Sequence, residues 1–167
     1  FMVPLAIGMA ASVRVGQAIG AGQPAGARVA ASVAGVTGMT VMGLTALLFL
    51  AFPLFFASLY TNDAGVLRIA TGLILIVAAF QIFDGVQVVC LGILRGSADT
   101  RVPALINLVG YWVLGVPVGW WLAFRTDVGP AGLWWGLVVG LGTCAVALSY
   151  RVAHRLRDPI EELRAEA

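Results

Sequence analysis

Phe80-Gln81-Ile82-Phe83-Asp84-Gly85-Val86-Gln87-Val88 sets one acidic residue inside a segment that is otherwise uncharged from Ile69 to Leu94. A carboxylate at the centre of a membrane helix costs about 2.5–3.5 kcal/mol on insertion scales. A residue held at that cost usually binds a cation or a proton on a transport path. The fold therefore turns on whether this segment crosses a bilayer.

Composition says that it does. The chain is 60% hydrophobic and 11% charged, with a mean hydropathy of +0.98, outside the range of soluble domains. No charge occurs from Val29 to Asn62, from Val102 to Phe124 or from Val128 to Tyr150. Each of these runs reaches the roughly 20 residues that cross a hydrocarbon core, and so does the Asp84 segment when followed to Leu94. A further apolar run, Phe1 to Val13, continues through Arg14 to about Ile19. The expected fold is an all-α membrane protein with five transmembrane helices, at about 1–20, 29–58, 66–94, 102–124 and 129–150. A soluble α/β core would instead show several strand-length runs and more surface charge. Residues 151–167 form a charged tail with Leu156, Ile160 and Leu163 at helical spacing. It is expected as an amphipathic helix on the cytoplasmic membrane surface.

Arginine sets the orientation. All ten basic residues are arginine, and eight of them (14, 28, 95, 101, 151, 155, 157 and 164) fall at one end of the five spans. Only Arg68 and Arg125 lie at the other. The positive-inside rule puts the arginine-rich end and the C-terminus in the cytoplasm. Trp120, Trp121, Trp134 and Trp135 surround the turn at 125–129, as an outer interfacial belt would. A chain that starts outside, with no initiator methionine and no signal peptide, reads as a piece of a longer one. The net charge of +2 comes from these arginines and points to anionic lipid headgroups, with no nucleic-acid partner.

Glycine and proline mark packing and bending. Gly132, Gly136 and Gly140 recur every four residues, and Gly16 with Gly20 and Gly115 with Gly119 repeat the spacing. Small residues so spaced let membrane helices approach closely. Pro4 and Pro117 lie inside spans and are expected to kink them. Cys90 and Cys144 read as packing residues, since two buried cysteines show no ligand spacing.

Depth can be counted from the arginine boundary. Asp84 precedes Arg95 by eleven residues, about 16 Å along a helix, close to the midplane. Gln81 and Gln87 stand three residues to either side of it and share its helical face. On the next span, Tyr111 follows Arg101 by ten residues, about 15 Å, with Asn107 one turn below. If these spans are antiparallel neighbours, a carboxylate, three amides and a phenol converge on one cavity: Asp84, Gln81, Gln87, Asn107 and Tyr111. The plainer alternative is that Asp84 only ties helices together.

An enzyme is not expected. His154 is the only histidine and lies beyond the last span. There is no nucleophile elbow, no His/Cys cluster and no phosphate-cradling glycine loop. Asp84 stands alone, whereas an isoprenoid-processing enzyme would want clustered aspartates for magnesium pyrophosphate.

Several motifs together carry a family resemblance. They are Pro4 with Arg14-Val15-Gly16-Gln17 and Gly20-Ala21-Gly22, Phe80 through Gln87, Gly92-Ile93-Leu94-Arg95-Gly96 with Asp99-Thr100, Tyr111 through Pro117, and Gly129 through Trp134. In this order and spacing the chain resembles the C-terminal lobe of multidrug and toxic compound extrusion (MATE) transporters of the NorM-like branch. The resemblance implies a twelve-helix antiporter of two six-helix lobes, with this chain as helices 8–12 in a bacterial inner membrane. It implies export of small cationic, amphipathic, drug-like compounds against sodium ions or protons, with no cofactor beyond that coupling ion. Asp84 matches the family's coupling acid on the tenth helix and is the residue that would hold Na+. The acid's partner on the seventh helix would belong to the N-terminal lobe, upstream of Phe1. Two other readings stay open: a lipid-linked precursor flippase of the same superfamily, which would want a more cationic cavity, and a non-transporting membrane scaffold.

Overall fold

The fold is given by a computed structural model, which describes residues 1–157. Among them there are helices and no strands. The chain passes back and forth as α1 (Met2–Gly20), α2 (Pro24–Ala51), α3 (Pro53–Ser58), α4 (Ala64–Gly96), α5 (Arg101–Leu108), a π-helical segment (Val109–Gly115), α6 (Val116–Arg125) and α7 (Ala131–Arg155). Five of the resulting helical stretches are long and apolar enough to cross a membrane.

Local chemistry explains most boundaries. Pro24 opens α2 at a position whose N–H would be unpaired in any case, so the helix starts before the expected residue 29. The expected second span, 29–58, is broken at Phe52 (φ −130°, ψ 46°). Pro53 follows it, and a residue before proline is pushed out of the helical region. Asp63 caps α4, its Oδ1 accepting from the Val66 N–H at 3.0 Å. Pro4 sits in the first turn of α1, where no intrahelical N–H bond is lost, and so does not kink it. Pro117 does mark a distortion. Lacking an N–H, it cannot bond the carbonyl one turn back, and the seven residues Val109–Gly115 just before it are wound as a π-helix. α7 runs on to Arg155, so the first residues of the expected surface tail continue the last span. Ile160 and Leu163 lie outside the described residues.

α4 is the hub, packing on α1, α2 and α7, while the fourth span packs on α7. Glycine permits the closest crossings. A Cβ on Gly92 would strike the Gly8 carbonyl, and one on Gly96 would come 2.5 Å from the Ser12 carbonyl oxygen. Across the last hairpin, Gly115 and Gly119 meet Gly136 and Gly140 backbone to backbone. Gly16 packs near Gly96, but Gly20 has open space around it, so the Gly16–Gly20 pair is not a seam.

Candidate functional site

α4, which packs on α1, α2 and α7, carries three of the candidate residues, Gln81, Asp84 and Gln87. Gln87 is buried (5% exposed) and uses both ends of its amide. Its Nε2 donates to Asn107 Oδ1 at 3.1 Å, and its Oε1 accepts from the Tyr111 hydroxyl at 3.2 Å. Asn107 lies in the last turn of α5 and Tyr111 in the π segment, so this chain of bonds bridges the third and fourth spans. The two spans are sequence neighbours yet do not pack backbone to backbone. α7 lies against both, and long polar side chains cross the remaining gap.

Asp84 lies one helical turn from Gln87, half-buried. Its carboxylate and the Tyr111 phenol are within electrostatic reach of each other. Among the described residues no side chain donates a hydrogen bond to it. Gln81 stands apart from the bonded chain, its Nε2 buried and without a partner among the described residues. The structure thus joins Gln87, Asn107 and Tyr111 directly, sets Asp84 beside them, and leaves Gln81 on the same face with an uncommitted donor. No group of three His, Cys, Asp or Glu side chains among the described residues could hold a metal ion. An ion at Asp84 would therefore draw its further oxygens from amides, carbonyls or residues beyond this chain.

Two grooves lie elsewhere on the bundle. One, about 860 Å³, runs between α1 and α2 and carries Arg14 and Gln17 on an otherwise mostly small and apolar lining. The other, about 810 Å³, is apolar and lies between Phe83 and α7. Asp84 lines neither. Cys90 and Cys144 are buried free thiols, Cys144 against the Ile106 carbonyl and Cys90 against Ser149.

Sequence reasoning missed a polar cluster at the arginine-rich end. Arg151 Nε meets Asp99 Oδ2 at 2.7 Å, with Asp99 almost fully buried. Arg155 Nη2 reaches the Ser97 carbonyl at 3.5 Å, and Arg28 Nε donates to the Leu156 carbonyl at 2.9 Å. The available signal was Asp99, an acid in a turn at a boundary otherwise rich in arginine.

Known proteins can now be set beside this geometry. The MatE family model matches residues 1–121. Multidrug resistance protein NorM of Burkholderia vietnamiensis is 47% identical over 156 residues, covering 90% of this chain and 34% of that protein. Multidrug resistance protein PmpM of Pseudomonas aeruginosa is 43% identical over 166 residues, covering 97% and 35%. The crystal structure of the eukaryotic MATE transporter AtDTX14 superposes with a TM-score of 0.86 at 28% identity, covering 96% of this chain and 37% of that one. The chain thus spans about a third of the length of the relatives it matches. With the family model over most of its length and the same helical fold, this chain belongs to the MatE family, the multi-pass membrane transporters known as MATE.

Proposed function

We propose that this chain is part of a multidrug efflux antiporter of a bacterial inner membrane, with its arginine-rich end in the cytoplasm, and that Asp84 is its coupling carboxylate. The observation that carries the reading is the state of Asp84: a membrane-embedded carboxylate with no hydrogen-bond donor among the described residues. A structural tie would have one. Left open, the group can exchange a proton, a sodium ion or a cationic substrate as the lobes alternate. Tyr111 and Gln87 stand beside it, and Gln81, on the same helical face, holds a buried amide donor without a partner among the described residues. The reading calls for no resident cofactor, only the coupling ion, and for small cationic drug-like compounds as cargo. The remainder of the transporter supplies the opposing lobe.

Asp84→Asn in the full-length transporter tests it. The variant is expected to reach the membrane at normal levels and to lose drug resistance and ion-driven efflux. Efflux that persists with its ion coupling intact would make Asp84 structural.

A further inference from the structure

The arginine-rich end holds a cleft separate from Asp84 and the side chains around it. The turn 97–100, the start of α5 and the end of α7 enclose about 500 Å³ lined by Ala98, Asp99, Thr100, Arg101, Val102 and Arg151. Its walls are fixed. Ala98 sits at φ 59°, a left-handed conformation that a non-glycine residue adopts only under constraint. Ser97 beside it is buried, its hydroxyl on the Leu94 carbonyl at 3.0 Å and its own carbonyl bonded by Arg155.

Into this frame Arg151 is set by Asp99. The bond from Nε to Asp99 Oδ2 fixes the guanidinium plane and leaves its two terminal amino groups uncommitted among the described residues. Arg101 is exposed and makes no ion pair among the described residues. Thr100 makes no capping bond with its hydroxyl. Two guanidiniums against one carboxylate leave a surplus of one positive charge in the cleft. A phosphodiester shares one negative charge between two non-bridging oxygens, a pair that a held guanidinium can meet with two hydrogen bonds.

We propose that this cleft binds the phosphate of an anionic phospholipid. The position supplies the source. The cleft sits at the arginine-rich ends of the third, fourth and fifth candidate spans, the end where a phospholipid phosphate can meet arginine with its acyl chains still in the bilayer. A soluble phosphate has the same head chemistry but gains nothing from that placement.

Lipid titration of the full-length transporter in detergent, read by native mass spectrometry, decides the matter. Phosphatidylglycerol should bind more tightly than phosphatidylcholine. Arg101→Gln should weaken phosphatidylglycerol roughly tenfold, the effect of losing one charged hydrogen-bonding partner. Arg95→Gln removes the same charge at the same end from a residue outside the cleft, and should leave the affinity unchanged. Equal losses in the two variants would mean general attraction to a basic surface and would overturn the site, as would no loss in either. Displacement of the lipid by millimolar inorganic phosphate would also overturn it, in favour of a soluble anion.

Discussion

Gln87 reaches the fourth span with both ends of its amide, and that gives its removal a definite signature. In membrane proteins such interhelical bonds average roughly 0.6 kcal/mol each. Tyr111→Phe should therefore destabilise the full-length transporter by about 0.6 kcal/mol. Gln87→Leu, which also strands the Asn107 amide, should cost about 1–3 kcal/mol. Because the Tyr111 bond exists only through Gln87, adding Tyr111→Phe to Gln87→Leu should cost nothing more. Denaturant unfolding of the four proteins closes the cycle, and additive losses would show that the two residues act independently. At this scale the sequence was readable where depth alone decides. Asp84, Gln87, Asn107 and Tyr111 could be ranked by counting from Arg95 and Arg101, because rise per residue is nearly constant along a helix. Asp99 with Arg151 could not be paired that way. They are 52 positions apart, and their meeting depends on how the turn 97–100 folds against α7.

Element boundaries followed composition, whereas contacts between elements did not. Long apolar runs with charge gathered mostly at their ends marked all five spans, since chain length and charge are most of what a bilayer demands. The break at Phe52 and the π-helical winding before Pro117 needed backbone geometry, although each proline announced its neighbourhood. The glycine seams divide in the same way. Gly132, Gly136 and Gly140 could be recognised by spacing, but Gly16 with Gly20 had the same spacing and only Gly16 is in contact. The partner surface decides, and it comes from another helix. Gly92→Ala should therefore separate α4 from α1 and cost about 1–3 kcal/mol, as overpacking does. Gly43→Ala, with open space around its Cβ position, should be neutral or stabilising by up to about 1 kcal/mol through helix propensity. Thermal unfolding of the two variants in the same detergent compares them directly. A tolerated Gly92→Ala would mean that α1 and α4 cross less closely than the Gly8–Gly92 approach requires.

For the molecule as a whole, the fold fixes which ends lie together and leaves which of them faces the cytoplasm to electrostatics. The five antiparallel spans gather Arg14, Arg28, Arg95, Arg101, Arg151 and Arg155 at one end, and Arg68 and Arg125 with the exposed Trp120, Trp121 and Trp135 at the other. Arg125 stacks over the Trp120 ring at 5.9 Å, a pairing suited to an interface where one side is apolar and the other wet. If the positive-inside rule governs, single cysteines at Asn62 and Asp127 should react with an impermeant maleimide applied from outside whole cells. Cysteines at Gln23 and Thr100 should react only after permeabilisation. Ser97 would be a poor reporter, since it is buried and would stay silent on either side. The native thiols Cys90 and Cys144 are buried and add little background. The reverse labelling pattern would invert the transporter. It would place the Asp99–Arg151 cluster outside the cell and remove the basis for reading the arginine-rich end as the cytoplasmic one, while leaving the five-span fold intact.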